Sequence, residues 1–221
     1  MGLFGRSDHS AKPAGVKKRS VSSADERKYS PTFDALVVGL GNPGKQYART
    51  RHNVGEEVVA LLAERHGTTL STGRDSALVG DVRIGSKRAV LAFPTTFMNE
   101  SGKAVSKLIR RHGFDGVAGL IVVHDELDLP PGTVRVKVGG GLGGHNGLRS
   151  ITANTGTQDY IRVRIGVGKP SNKEQGANHV LSRVPTDERK VLDVAVQVAA
   201  DAVEAILTHG VDSAMNTFNT K

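Results

Sequence analysis

The sequence predicts a single α/β domain with a mixed β-sheet, and three observations lead to this fold class. Apolar runs typical of buried strands alternate along the chain with segments of helical spacing. Residues 77–94 alternate in polarity and turn once, as an antiparallel hairpin does, so the sheet is not purely parallel. A length of 221 residues suits one domain with a full core, plus a tail.

The first half of the domain contains signals for a strand, a helix and the hairpin, in that order. Residues 35–40 (ALVVGL) form an apolar run and are predicted to be a buried strand. The apolar residues between Val54 and Leu62 have helical spacing, and Gly67 is the predicted end of that helix. The hairpin is expected to turn at residues 85–87.

The second half adds two helices with recognisable ends. Ser101 is the predicted N-cap of a helix that ends near Gly113. Thr186 is the predicted N-cap of a long helix that ends at Gly210. The other elements expected here are strands at 119–123, 133–138 and 160–168, a helix at 145–154 and a short closing helix.

Residues 1–33 are predicted to be a disordered basic arm that precedes a domain of residues 34–221. The first 30 residues are rich in Ser, Lys, Arg, Gly and Ala and contain few large apolar groups, so they cannot form a core. They carry a net charge of +4, which is half of the +8 of the whole chain. The body of the protein is therefore mildly basic, and charge alone does not establish a nucleic-acid partner.

The composition excludes several classes of protein. The sequence contains no cysteine, which excludes disulfides, a thiol nucleophile and a thiolate metal site, and a cytoplasmic location is expected. No apolar run reaches the roughly 18 residues of a membrane span, so no membrane partner is expected. The first residues also lack the apolar segment of roughly 7–15 residues that a signal peptide requires.

The glycine-rich segment after the first strand resembles two nucleotide-binding loops without matching either. Gly39, Gly41 and Gly44 fit the dinucleotide fingerprint, but the polar residues after them do not start the helix that this motif requires. The phosphate loop G-x-x-x-x-G-K-[ST] has a magnesium-binding hydroxyl where this sequence has Gln46, and Pro43 removes a backbone donor. Nucleotide hydrolysis is disfavoured but stays open as an alternative.

Four polar loops that follow apolar elements carry residues suited to activating a water molecule. They span residues 41–53, 94–102, 124–132 and 139–150. A His beside a buried Asp acts as a general base, and amide side chains hold water and carbonyl groups without adding charge. The candidate residues in these loops are His52, His124, His145, Asp125, Asn42, Asn99 and Asn146.

Two other kinds of catalytic site have weaker support. The three histidines and Asp125 could bind a metal, but no H-x-x-x-H or H-E-x-x-H spacing is present, and the three Asn are poor zinc ligands. A serine triad would need a G-x-S-x-G elbow, which the sequence lacks. Phe97 and Met98 are equally compatible with the apolar core.

The sequence resembles the bacterial peptidyl-tRNA hydrolase family in five motifs. These are GLGNPGKQYARTRHNVG, PTTFMNESG, HDELDLPPG, GGGLGGHNGLRSI and RVRIGVGKP, which occur in order within residues 35–218. The resemblance implies hydrolysis of the ester that joins a peptide to the 3′ end of tRNA, with peptidyl-tRNA as partner and no cofactor or metal. It also implies a monomer that folds as a three-layer sandwich, with a mixed central sheet flanked by helices.

The resemblance further implies roles for individual residues. By their positions in the motifs, His52 is the proton acceptor, and Asp125 stabilises the form of His52 that accepts the proton. Asn42 separates N-blocked from free aminoacyl substrates. The residues implied to contact the tRNA end of the substrate are Tyr47, Phe97, Asn99 and Asn146, with Met98 and His145 beside them; Lys137 and Arg164 match a clamp on the tRNA 5′-phosphate, and Lys173 lies in the following basic loop.

Three positions depart from the family pattern. Phe97 stands where Tyr is common, so a hydroxyl contact is lost and stacking remains. Glu56 and Glu100 occupy positions that are often apolar, and they would alter the peptide groove.

A non-catalytic RNA-binding module is a further alternative to the hydrolase, because it would bind tRNA without needing His52.

Overall fold

The computed structural model describes residues 1–2, 32–170, 172 and 176–220, and its centre is one seven-stranded β-sheet. In chain order the strands are β1 (Ala35–Gly39), β2 (Ser71–Thr72), β3 (Ala77–Ile84), β4 (Lys87–Pro94), β5 (Leu120–Glu126), β6 (Val134–Val138) and β7 (Ile161–Gly166). They lie side by side in the order β2-β3-β4-β1-β5-β7-β6.

The sheet is mixed, as the sequence predicts. Strands β4, β1, β5 and β7 are parallel neighbours, whereas β3 pairs antiparallel with β4 and β6 pairs antiparallel with β7. The predicted hairpin is confirmed, because β3 and β4 pair along their whole length and the chain turns between Ile84 and Lys87. The carboxyl ends of the four parallel strands meet at one edge of the sheet, where ligands bind in open α/β folds.

Helices cover both faces of the sheet and complete the predicted three layers. The helices are α1 (Val54–Arg65), α2 (Ser101–His112), α3 (Asn146–Thr155), α4 (Gly176–Leu181), α5 (Thr186–His209) and α6 (Val211–Phe218). Side chains of α1, α5 and α6 share an apolar cluster with one face of the sheet, and those of α2 and α3 share a second cluster with the other face. Within the described ranges, no helix has the length and apolarity to cross a membrane.

Two predicted helix caps are wrong, although both helices exist. Ser101 is the first residue of α2, and its Oγ donates to the carbonyl of Met98 instead of accepting a helix N–H. The chain already turns in the three residues before Ser101, so the helix boundary lies one position earlier. Thr186 is likewise the first residue of α5, because the carbonyl of Pro185 accepts the first helical hydrogen bond.

Other boundaries differ from the predictions in ways that matter for the site. Strand β5 extends to Glu126, so His124 and Asp125 belong to a strand and not to a loop. Strand β2 and helix α4 were not predicted from the sequence. Phe33, which the sequence assigns to the basic arm, is buried in the cluster beneath α2, where its ring lies 5.3 Å from that of His112.

Candidate active site

A cleft of about 690 Å³ lies beyond the carboxyl ends of β1 and β5. Most of the residues predicted from the sequence meet there, although they come from four separate segments of the chain. Those that line the cleft are Asn42, His52, Phe97, Met98, Asn99, Asp125, His145 and Asn146. Tyr47, Lys137 and Arg164 lie outside this lining, and Lys173 falls outside the described residues.

His52 is held by a short 3₁₀ turn, Arg51–Asn53, in which all three residues are buried. Arg51 donates to both carboxylate oxygens of Glu188 on α5, at 2.6 and 2.5 Å, and to the carbonyl of His179. Bidentate pairing of this kind fixes orientation as well as charge. No local pattern in the sequence assigns this role to Arg51, because its partners lie more than a hundred residues away along the chain.

A single carboxylate oxygen joins two of the predicted histidines. His52 Nδ1 and His145 Nε2 lie 2.8 and 3.0 Å from the same Oδ1 of Asp125. His145 Nδ1 accepts backbone N–H groups of Gly147 and Leu148 at the start of α3, so this nitrogen carries no hydrogen. The proton of neutral His145 is therefore on Nε2 and is donated to Asp125.

The same reasoning fixes the tautomer of His52. An ionised carboxylate only accepts hydrogen bonds, so His52 Nδ1 must donate to Asp125. The lone pair of neutral His52 is then on Nε2, which is the arrangement that a general base needs.

Electrostatics favour an ionised Asp125 and a basic His52. Burial alone would lower the pKa of His52, but the charge and the hydrogen bond of Asp125 outweigh burial and leave that pKa raised. Burial, which disfavours any charged form, would raise the pKa of Asp125, but His52 and His145 hold that pKa well below its usual range. The pair therefore combines a permanent negative charge with an imidazole that readily takes up a proton.

His124 is enclosed in the protein and contacts the backbone, unlike His52 and His145, which line the cleft. It is completely buried, and burial together with the neighbouring His145 lowers its pKa to about 3. Its Nδ1 lies 2.7 Å from the backbone carbonyl of Asp125, to which it donates. Because the ring stays neutral and is enclosed, His124 supports the end of β5 and does not exchange protons with the cleft.

Asn42 presents one end of its side-chain amide to the cleft. Its Oδ1 accepts the backbone N–H of Met98 at 2.8 Å, which assigns the oxygen and leaves Nδ2 as the free end among the described residues. Asn53 holds the main chain of Asn42 from behind, since its Oδ1 accepts the Asn42 N–H and its Nδ2 donates to the Asn42 carbonyl, both at 2.9 Å. The role of Asn53 as a support for Asn42 was not predicted from the sequence.

The glycines of the opening loop serve close packing. A Cβ on Gly39 would lie 2.1 Å from the carbonyl oxygen of Gly55, and one on Gly41 would lie 2.9 Å from Asn53 Nδ2. The chain from Gly44 to Arg49 bends and turns, Thr50 forms a β-bridge with Arg183, and the first α-helix begins only at Val54. In the described segment after Gly44, no helix begins where the nucleotide-binding motifs require one, which argues against the nucleotide alternatives.

Exposed aromatic and amide groups form the rim of the cleft. The rings of Tyr47 and Phe97 meet edge to face at 6.5 Å, and Phe97 is 55% exposed. Asn99 and Asn146 are exposed on the same rim, and Asn146 Oδ1 accepts from Arg149. An exposed ring with amides beside it suits stacking and edge contacts to a nucleobase.

The two residues of the predicted phosphate clamp lie on adjacent antiparallel strands. Lys137 of β6 is opposite Arg162 of β7, two residues from Arg164 on the same face of the sheet. Arg164 donates from Nε to Glu126 at 3.1 Å, which orients its guanidinium. Arg162, which the sequence analysis missed, is buried and donates to the carbonyls of Gly140 and Gly141, so it anchors the glycine-rich loop.

The triad of His52, Asp125 and His145 has the spacing of a metal site, but its histidine nitrogens carry protons where metal ligands need lone pairs. Their nearest ligand atoms lie within 4.8 Å of one another. A metal would need lone pairs on His52 Nδ1 and His145 Nε2, which are the nitrogens that carry protons here. Moving the His145 proton to Nδ1 would set it against the N–H groups of Gly147 and Leu148. The donor set fits a hydrogen-bonded triad better than a metal centre.

Comparisons with known proteins find relatives of this chain over most of its length. The family model described as peptidyl-tRNA hydrolase matches residues 36–221. The peptidyl-tRNA hydrolase of Frankia alni is 49% identical over 191 residues, covering 86% of this chain and 96% of that protein. The peptidyl-tRNA hydrolase of Leifsonia xyli subsp. xyli is 50% identical over 187 residues, covering 84% and 96%.

The fold is also found among solved structures. The crystal structure of peptidyl-tRNA hydrolase from Acinetobacter baumannii aligns with a TM-score of 0.80 at 39% identity, over 84% of this chain and 94% of that one. Both the sequence and the fold are thus shared over nearly the whole described domain. The chain belongs to the peptidyl-tRNA hydrolase family.

Proposed function

We propose that this enzyme hydrolyses the ester between a peptide, or an N-blocked amino acid, and the 3′ end of tRNA, with His52 as the general base. The observation that carries the proposal is the 2.8 Å hydrogen bond from His52 Nδ1 to Asp125, which leaves Nε2 without a partner among the described residues, at the cleft. The names of the matched family and of the relatives support the substrate class.

The proposed reaction needs one water molecule and one base. His52 Nε2 takes a proton from the water as its oxygen attacks the ester carbonyl carbon, and Asp125 stabilises the imidazolium that forms. When the tetrahedral intermediate collapses, His52 returns the proton to the departing ribose oxygen, so free tRNA and a peptide carboxylic acid result. General-base assistance of this kind contributes about 10²–10⁴-fold to the rate.

Asn42 is proposed to distinguish blocked from free amino groups through its Nδ2 alone. Oδ1 already accepts the Met98 N–H, so Nδ2 is the end of the amide that no described residue occupies. Nδ2 can donate to the carbonyl of an N-acyl group, which a free aminoacyl substrate lacks. A free substrate instead brings an ammonium, which can only donate and finds a donor facing it.

The remaining predicted residues are proposed to hold the tRNA. The aromatic and amide rim of Tyr47, Phe97, Asn99 and Asn146 suits the unpaired 3′ end, with Met98 and His145 behind it. Lys137 and Arg164 are proposed to share one phosphate, and this is supported by their positions on adjacent strands and on the same face of the sheet. Lys173, outside the described residues, is proposed to extend this basic surface.

One assay separates this proposal from its alternatives. Release of free tRNA from N-acetyl-aminoacyl-tRNA is measured in a strong chelator and without nucleotide, and we expect full activity because the tautomers oppose metal binding. His52→Ala should abolish most turnover and leave tRNA affinity nearly unchanged. Activity that vanishes in chelator and returns with zinc would contradict the mechanism, and near-normal turnover by His52→Ala would remove His52 as the base.

A further inference from the structure

The Asn53 side chain makes three hydrogen bonds, and only two of them involve Asn42. Its second Nδ2 hydrogen is donated to Oε2 of Glu56 at 2.7 Å, the shortest of the three. Asn53 is 1% exposed, so water does not readily replace a lost partner. A buried N–H left without an acceptor is destabilising and would favour other positions of the amide.

The geometry shows that Asn53 does not serve its own helix. It occupies the N-cap position of α1, where an Asn side chain normally accepts a helix N–H, yet it makes no such bond. The Glu56 N–H is satisfied instead by the carbonyl of Leu40. The Asn53 amide is thus free to face Asn42 on one side and Glu56 on the other.

We propose that Glu56 is a positioning residue for Asn42: its carboxylate fixes the Asn53 amide, and this amide holds the main chain of Asn42 against the cleft. The inference rests on the role proposed above for Asn42. Glu56 does not line the cleft, so it acts through Asn53 and not by touching substrate. In the described part of the chain, Asn53 is the one hydrogen-bond partner of the Glu56 carboxylate.

The neighbouring Glu57 provides a matched control. It lies in the same helical turn and is also half-buried, but its carboxylate oxygens accept from Arg189 of α5 at 3.1 and 3.0 Å. Burial raises the pKa of both carboxyl groups. The two residues therefore share type, burial and helix position but differ in partner, since Glu56 accepts from Asn53 and Glu57 from Arg189.

The test compares Glu56→Ala, Glu56→Leu, Glu56→Gln and Glu57→Gln with the wild type. For Glu56→Ala we expect KM for N-acetyl-aminoacyl-tRNA to rise about two- to tenfold with kcat little changed, because the contact is made in both ground and transition states. Hydrolysis of free aminoacyl-tRNA should not change. Glu56→Gln keeps an acceptor for Asn53 and should behave as wild type, as should Glu57→Gln.

A double-mutant cycle separates positioning from a general loss of structure. If Glu56 acts through Asn42, Glu56→Ala should have no further effect on either substrate in an Asn42→Ala background. Melting temperatures identify variants that unfold, and Glu56→Leu fills the space if Glu56→Ala does not fold. The inference would be overturned if Glu56→Ala lowered kcat/KM equally for both substrates, or if its effect were as large in the Asn42→Ala background as in the wild type. Inactivity of the wild type would instead refute the proposed function.

Discussion

Asn42→Asp is a nearly isosteric change at the position proposed to discriminate between substrates. One carboxylate oxygen can still accept the Met98 N–H at the 2.8 Å that Asn42 Oδ1 now shows, and Asn53 still holds the main chain. The substitution therefore changes one thing in the cleft: the Nδ2 donor becomes a negatively charged acceptor.

The expected effects on the two substrates have opposite signs. An N-blocked substrate loses one hydrogen bond to a neutral group, worth ~0.5–1.5 kcal/mol or about 2–13-fold. A free aminoacyl substrate gains an acceptor for its ammonium, and hydrogen bonds to charged groups contribute a net ~1.5–3 kcal/mol in typical settings. Because Asn42 is buried, part of this gain is lost to desolvation. The ratio of kcat/KM for the N-blocked substrate to kcat/KM for the free aminoacyl substrate should therefore fall by at least about 2–13-fold.

The assay is kcat/KM for N-acetyl-aminoacyl-tRNA and for the same aminoacyl-tRNA without the acetyl group. It is run above the acid limb of the pH profile, since the new charge would raise the pKa of the His52 imidazole. Asn146→Asp is the matched control, because it adds the same charge to the exposed rim and should affect both substrates equally. An unchanged preference for Asn42→Asp would refute the reasoning and limit Asn42 to shaping the loop.

Three further outcomes are expected. Asp125→Asn keeps an oxygen for both histidines but removes the charge that raises the pKa of His52. The acid limb of the kcat/KM profile should therefore move to lower pH, and its plateau should fall by about tenfold or more. An unmoved acid limb would contradict the coupling between Asp125 and the pKa of His52. Arg164→Ala should reduce the slope of the logarithm of the tRNA binding constant against the logarithm of salt concentration by about one. It should weaken the binding of 5′-phosphorylated tRNA more than that of dephosphorylated tRNA, because Glu126 then faces the phosphate without its cation. Equal weakening of both would exclude a clamp. Removing residues 1–30 should leave kcat and melting temperature unchanged, and a large fall in melting temperature would show that the arm packs on the domain.

Local patterns in the sequence were sufficient for the fold class. The hairpin was predictable because strand alternation and a Gly85 turn are properties of adjacent residues. The end of α2 was predictable for the same reason, since Gly113 adopts a φ of +70° that other residues disfavour. The misplaced caps at Ser101 and Thr186 have local causes too. Residues 98–100 turn the chain before Ser101 is reached, and the carbonyl of Pro185 accepts the first helical hydrogen bond ahead of Thr186.

The sequence determined which residue types are available to the site, and the tertiary structure decided how they are used. Polar residues at strand ends pointed to His52 and Asp125, but 73 positions separate them along the chain. Only the fold could show that His145 shares their carboxylate oxygen and that its tautomer is set by the start of α3. Only the fold could show that Met98 occupies one end of the Asn42 amide. Periodicity is a property of neighbouring residues, whereas hydrogen bonds between distant segments depend on how the sheet and its helices bring those segments together.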